Sequence, residues 1–401
     1  MPGVENMEEK VEKVEKKKTR IAITVIFFLM LALPLATWPI MRNYVDTENY
    51  ENRVWAAFPE ISGDNVWNIT KGIDDWFSDR IPYKNPVTNL QSEIKTAFSG
   101  QMSWLDYFTG TPVIAGKEKW LFYNGRSNVG ESSLPDYMGS NLYKELELEE
   151  LAGGYQQLAD QYAAQGIRFI LFIPPNKEQI YPELMPDQLG PITDYSRTDQ
   201  LVDYFREHTD IEVIYAKDAL MEAKEEGYRV YQKYDSHWNY LGSFVGAQLL
   251  RQAILGDHET LSEHEIGQMY AADGSGVPED RDLAIMLNLG TDYVELENLV
   301  VKDYREDRPF NLGAWKNEEG VDYINYKSFY TGNDIRMLML RDSFSYKMEP
   351  YMARDYSDIM FLSDTKYARQ YVIDTPPDIV VFEIVERKSG FLEDAWKEMM
   401  L

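Results

Sequence analysis

The chain has no cysteine in its 401 residues. That excludes disulfides, thiolate nucleophiles and cysteine-ligated zinc. The fold must be held by its hydrophobic core, which a chain of this length can supply. Histidine is nearly as scarce: His208, His237, His258 and His264 are the whole set. Positive charge is in deficit, with 40 Lys and Arg against 67 Asp and Glu, a formal charge of -27. Such a surface repels phosphate backbones, which argues against nucleic-acid binding. There is no glycine-rich phosphate loop and no dinucleotide fingerprint, so no cofactor is expected. Asp273-Gly274-Ser275 through Glu279, Asp280 and Asp282 is rich in oxygen ligands. Its spacing matches no EF-hand loop, and it reads as a solvated acidic loop with no metal.

Charge is absent altogether from Ile21 to Met41, between Arg20 and Arg42. Roughly 20 apolar residues span a bilayer core as a helix, so this run is expected to be one N-terminal transmembrane helix. Lys10, Lys13, Lys16, Lys17, Lys18 and Arg20 precede it, and basic flanks stay inside. Residues 1–20 are then a cytoplasmic tail, 21–41 a single-pass membrane anchor, and everything after Arg42 extracytoplasmic. A cleaved signal peptide is the competing reading. The run is long for one, and no clear small-x-small cleavage site follows closely.

Residues 42–111 read as a lead-in with helical stretches: Leu90, Ile94 and Phe98 recur at helical spacing. From 112 onward helix and strand alternate. Val113–Ala115 and Trp120–Tyr123 flank a turn. Leu146–Gln165 reads as a helix stopped by Gly166. Ile167–Ile173 is a short apolar run of the kind found in buried parallel strands. Further strands are expected at Ile211–Tyr215, Ile335–Leu340 and Asp378–Ile384. Further helices are expected at Asp199–His208 and from an Asn239 cap to about Leu255. Residues 256–330 look like a polar, irregular insertion. The pattern predicts an α/β fold, a parallel sheet between helices, with its chemistry beyond the carboxyl ends of the strands.

Two places there carry chemistry. In Tyr234-Asp235-Ser236-His237-Trp238-Asn239, residues i and i+2 of an extended loop project to one side. Asp235 can then hold Nδ1–H of His237 and leave Nε2 free as a base. Ser343 follows the apolar run Met337–Leu340 through Arg341 and Asp342. A serine in a strand-to-helix turn exposes its hydroxyl, yet is a poor nucleophile until a base takes its proton. Taken singly, each motif also fits a hydrogen-bonded surface turn or a helix cap.

The Asp-Ser-His-Trp cluster with a later Asp-Ser-Phe resembles the DHHW family and the SGNH-hydrolase-like proteins of alginate O-acetylation, AlgJ and AlgX. Other segments share the likeness: Glu51-Asn52-Arg53 with Phe58-Pro59, Trp76-Phe77-Ser78-Asp79-Arg80, Gly116 through Trp120-Leu121-Phe122, Pro174-Pro175-Asn176-Lys177 with Tyr181-Pro182, Asp282-Leu283-Ala284, and Glu386-Arg387. The resemblance implies an SGNH-hydrolase-like (flavodoxin-like) domain over 112–401 with a circularly permuted motif order. It implies Ser343 as nucleophile, His237 as base and Asp235 as its orienting acid. Lys177 and Arg387 are substrate-binding candidates, able to steady an acetyl or sugar oxygen or to form plain ion pairs. The implied activity is acetyl transfer to hydroxyls of an exported or cell-surface polysaccharide, with a multi-pass membrane O-acyltransferase as donor partner. An esterase with the same triad, or a non-catalytic scaffold of an export complex, are the alternatives. The family's Gly-Asp-Ser block reads Arg341-Asp342-Ser343 here, a departure at the turn that shapes the oxyanion site.

Overall fold

The computed structural model describes Thr24, Thr37, residues 55–59, 69–80, 112–125, 133–269, 281–287 and 298–401, with Glu131, Leu289 and Tyr293. The expected anchor at 21–41 lies outside these residues except for Thr24 and Thr37, both helical. So do most of the lead-in and the acidic loop at 273–280. Among the described residues no helix is long and apolar enough to cross a membrane.

The chain divides into two units, residues 1–94 and 95–401. In the first, helix α1 (Ile69–Ser78) is tied to the stretch 55–59. Asp79 accepts the Ala56 N–H at 2.7 Å, and Arg80 donates to the carbonyls of Ala56 and Trp76 at 3.0 Å. The Arg80 guanidinium also lies over the rings of Trp55 and Trp76. Pro59 sits so close under Gly72 that a Cβ there would stand 2.8 Å from it. The Phe-Pro and Trp-Phe-Ser-Asp-Arg segments are thus two halves of one local clasp.

The second unit begins with an antiparallel pair, β1 (Val113–Ala115) and β2 (Leu121–Tyr123), as the turn between them predicts. Helices α2 (Ser133–Met138) and α3 (Glu145–Ala163) follow, and Gly166 at φ +75 ends the second as expected. Then come β3 (Arg168–Ile173), α4 (Lys177–Ile180), α5 (Arg197–His208), β4 (Glu212–Tyr215), α6 (Lys217–Glu225) and α7 (Tyr240–Leu255). The remainder is β5 (Ile266–Met269), α8 (Asp282–Met286), β6 (Asn298–Val301), β7 (Phe310–Lys316), β8 (Asp322–Ser328), β9 (Arg336–Leu340), α9 (Glu349–Asp355), β10 (Asp358–Leu362), α10 (Ala368–Asp374), β11 (Ile379–Glu383) and α11 (Leu392–Met399).

Seven strands form the main sheet in the order β4-β3-β11-β9-β10-β8-β7. Five are parallel; β8 runs antiparallel to β10, and β7 runs antiparallel to β8, so that β7 points the same way as the five. The expectation of a purely parallel sheet is corrected to a mixed one. Alternate residues of the parallel strands feed two cores, as strand geometry requires. Ile170, Phe172, Met337, Met339, Ile359 and Phe361 pack on the side of Phe244, Leu250 and Met352, from α7 and α9. Phe169, Leu171, Leu338, Leu340, Met360 and Leu362 pack on the side of Tyr155, Leu201, Phe205 and Leu392, from α3, α5 and α11. Burying both faces explains why these strands read as continuous apolar runs.

In its described residues the region 256–330 is not irregular. It supplies the β5–β6 pair, α8, and the two strands that complete the sheet. β7 is an edge strand exposed along most of its length, so its sequence lacks a core pattern.

Candidate active site

The His237 loop is set by what lies on either side of it. Asn239 caps α7, its side-chain oxygen accepting the N–H groups of Leu241 and Gly242 at 3.0 Å. Trp238 is fully buried, and its indole N–H donates to the Phe344 carbonyl at 2.7 Å. This bond ties the histidine loop directly to the serine turn. Gly246 on α7 lets the indole approach; a Cβ there would stand 2.7 Å from the Trp238 ring.

The serine turn follows β9. Asp342 caps it: Oδ1 accepts from the Phe344 N–H at 2.9 Å and Oδ2 from the Val385 N–H at 3.0 Å. Burial alone would raise the Asp342 pKa, but Lys388 and these N–H donors hold it below the usual carboxylate range. Glu383, at the end of β11, accepts the Asp342 N–H at 2.8 Å. Burial first, and then the Asp342 charge, push Glu383 well above its ordinary value. Arg341 stands where glycine is usual in the resembled family, and its φ is not positive. Its N–H continues the ladder to Leu362 and its guanidinium stacks on Tyr346 at 4.0 Å. The turn therefore does not demand glycine.

These two loops meet. His237 Nε2 lies 2.7 Å from Ser343 Oγ, and Nδ1 lies 2.6 Å from Asp235 Oδ1. Asp235 Oδ1 also accepts the His237 N–H at 3.0 Å, and Oδ2 accepts the Asp282 N–H at 2.9 Å. Asp235 is buried, which alone would raise its pKa, but the imidazole, Lys347 and the Asp282 N–H reverse that and hold it low. The His237 ring keeps some access to solvent, with its side chain 19 % exposed.

Lys177 and Arg387 fare differently. The Lys177 ammonium donates to the carbonyls of Leu121, Lys233 and Asp235 at 2.6, 3.0 and 2.9 Å. It also lies over Trp120 and Phe122. The expected sugar or acetyl contact at Lys177 is corrected: this buried cation braces the backbone under Asp235. Arg387 is closer to the site. It is buried between Tyr123 and Phe344, with Nη2 at 3.5 Å from Ser236 Oγ.

Asp282 was not singled out for a role from sequence. It accepts the Ser236 N–H at 2.7 Å and the Ser236 hydroxyl at 2.5 Å. Its Oδ2 stands 3.6 Å from His237 Nδ1. Among the described residues, Asp235, His237 and Asp282 form a group with donor atoms within 4.8 Å of one another. Both imidazole nitrogens are already engaged within the protein, an arrangement suited to moving a proton.

A Ser-His-Asp chain thus lies beyond the carboxyl ends of the parallel strands of a helix-covered α/β sheet. Residues 113–307 match the family model described as SGNH hydrolase-like domain, acetyltransferase AlgX. That stretch contains Asp235, His237 and Asp282 and ends before Ser343. A probable alginate O-acetylase AlgJ of Pseudomonas fluorescens is 25% identical over 302 residues, 73% of this chain and 66% of that protein. Its namesake in Pseudomonas syringae pv. tomato is 27% identical over 246 residues, 57% of this chain and 51% of that one. A crystal structure of a DHHW family protein from Eubacterium siraeum covers 72% of this chain and 99% of its own, at 12% identity and a TM-score of 0.48. On the family and sequence matches the chain is similar to the AlgJ and AlgX proteins. It spans about two thirds and about half of the two curated relatives' lengths.

Proposed function

We propose that this chain is a membrane-anchored, extracytoplasmic O-acetyltransferase that moves acetyl groups onto hydroxyls of an exported or cell-surface polysaccharide. The observation that carries the reading is the unbroken chain from Asp235 through His237 to the Ser343 hydroxyl, with contacts of 2.6 and 2.7 Å. The names of the two curated relatives support a polysaccharide acceptor.

The chemistry runs in two halves. Ser343 Oγ attacks the acetyl carbonyl carbon of the donor while His237 Nε2 takes its proton. The donor's C–O bond breaks, and the leaving oxygen takes that proton from His237. A sugar hydroxyl then gives its proton to Nε2 and attacks the acetyl-Ser343 carbonyl, and Ser343 leaves with the proton restored. The Ser343 N–H donates to no group among the described residues, which supports a role at the oxyanion. Arg387 is the second candidate there. Electrostatic stabilisation of this kind is usually the largest single contribution to such reactions.

The uncharged run at 21–41 and the basic tail before it support the anchor and the outward placement of 42–401. In that division 42–111 is a lead-in and 112–401 the catalytic domain. The donor partner is a multi-pass membrane O-acyltransferase. The full chain is expected in the membrane fraction, and a chain lacking residues 1–41 in the soluble fraction. Recovery of both as soluble protein would contradict the anchor.

Water at the acceptor position would make the same site an esterase. Incubating the soluble part with an acetyl ester, with and without oligosaccharide, separates the two. Acetylated oligosaccharide is expected; free acetate as the sole product under both conditions would assign the esterase reading instead.

A further inference from the structure

We propose that Asp282 is a positioning residue for the Ser343–His237 pair, acting as a second carboxylate on the imidazole. The inference rests on the acyl-transfer reading of that pair. Asp282 grips the Asp235-Ser236-His237 turn from both sides. Its own N–H holds Asp235 Oδ2 at 2.9 Å, while its carboxylate takes the Ser236 N–H at 2.7 Å and the Ser236 hydroxyl at 2.5 Å. With Oδ2 fixed in this way, Asp235 can turn only Oδ1 to His237 Nδ1. The ring orientation that puts Nε2 on Ser343 follows from that.

The second part of the role is electrostatic. Asp282 Oδ2 stands 3.6 Å from Nδ1, beside the 2.6 Å contact from Asp235. A proton passing from Ser343 to Nε2 makes the ring a cation, which two neighbouring carboxylates favour more than one. Burial first, and then the Asp235 charge, raise the Asp282 pKa above its ordinary value, while the imidazole and the two bonds from Ser236 counter them in part. The other charged groups facing this cluster are Arg387, 3.5 Å from Ser236 Oγ, Lys347, which acts on Asp235, and Lys177, bonded to the Asp235 carbonyl. They come from the segment after β11, the serine turn and α4.

α8 has the local structure to hold Asp282 still. Leu283 and Ala284 are fully buried in a small core with Val113, Leu121 and Tyr123 of the β1–β2 pair. The Ala284 N–H also donates to the Tyr234 carbonyl at 3.2 Å, one residue before Asp235. A segment far along the chain is thereby registered against the histidine loop at two backbone points.

The test is Asp282→Asn, whose amide oxygen can still accept the Ser236 N–H but which carries no charge. With an acetyl ester as substrate, kcat is expected to fall roughly 10- to 100-fold with KM for the ester little changed, the pattern of a lost transition-state contact. The acid limb of the rate is expected to move to lower pH by about one unit, because a neighbouring negative charge favours the imidazolium. Asp282→Glu, which keeps the charge, should return the limb toward the wild-type position. A residue that only supports the fold would lower Tm without moving the limb.

NMR titration of the His237 ring, assigned by loss of its signal in His237→Gln, reads the same coupling without any turnover. Its midpoint should fall in Asp282→Asn. A wild-type midpoint in a folded variant would overturn the inference, even if Ser343 chemistry is upheld. A shifted midpoint with no Ser343-dependent turnover in the wild type would instead sink the acyl-transfer reading. Should Asp282→Asn not fold, Asp282→Ser, whose hydroxyl can accept from the Ser236 N–H, carries the same comparison.

Discussion

Replacing Ser343 with alanine is expected to abolish acetyl transfer, lowering kcat by about 10⁴-fold or more, while leaving Tm nearly unchanged. The hydroxyl is partly open and its bond runs to His237, whereas the turn around it is held by other groups. Asp342 caps it, Glu383 accepts the Asp342 N–H, and the Trp238 indole bonds the Phe344 carbonyl. None of these passes through Ser343 Oγ. A binding or scaffold role would survive the substitution. Loss of acetylated oligosaccharide, measured by mass spectrometry and paired with an unshifted melting curve, checks this outcome.

Asp235→Asn is the second large effect. Both carboxylate oxygens of Asp235 act as acceptors: Oδ1 from His237 Nδ1 and the His237 N–H, Oδ2 from the Asp282 N–H. An amide has one acceptor oxygen and must turn its NH₂ toward one of these partners. Turned toward Asp282, the NH₂ meets a backbone N–H. Turned toward His237, it forces the proton onto Nε2 and removes the base facing Ser343. Either way kcat is expected to drop by on the order of 10³- to 10⁴-fold, with ester binding largely kept.

The same substitution changes stability in a pH-dependent way. The Asp235 carboxyl is held below its ordinary value of 3.8. Its stabilising contribution is therefore complete above that value and is lost as the pH falls through the depressed one. The Tm gap between wild type and Asp235→Asn should be widest near neutrality and close in acid. A gap independent of pH would contradict the assignment of Asp235 as an ionised partner of the imidazole.

The centre of the site was legible because its parts announce themselves locally. Asp235 and His237 are two apart, and Ser343 follows an apolar strand, so each signal needs only a few residues. What joins them is not local. The Trp238–Phe344 bond and the 2.7 Å His237–Ser343 contact are set by how the chain folds between them. Asp282 was noted in an acidic stretch and in the family-like Asp282-Leu283-Ala284 segment but given no role, since nothing local says its backbone will face Asp235. Lys177 was legible as unusual, and of its two readings, substrate contact or structural cation, the geometry favours the second. A lysine beyond a strand end looks like a ligand group until three carbonyls from distant segments are found around it. The sheet was read through its buried strands, where burial on both faces leaves an apolar run. β7 and β8 carry no such run because the edge they form is largely solvated.

The most direct test is to mix the soluble part of the chain with an acetyl ester, quench, digest and sequence the peptide containing Ser343. An acetyl group on the Ser343 hydroxyl, present in wild type, slowed in Asp235→Asn and cleared by added oligosaccharide, is the predicted result. Acetyl transfer that proceeds with no acyl-enzyme at Ser343, and that persists in Ser343→Ala, would contradict the account.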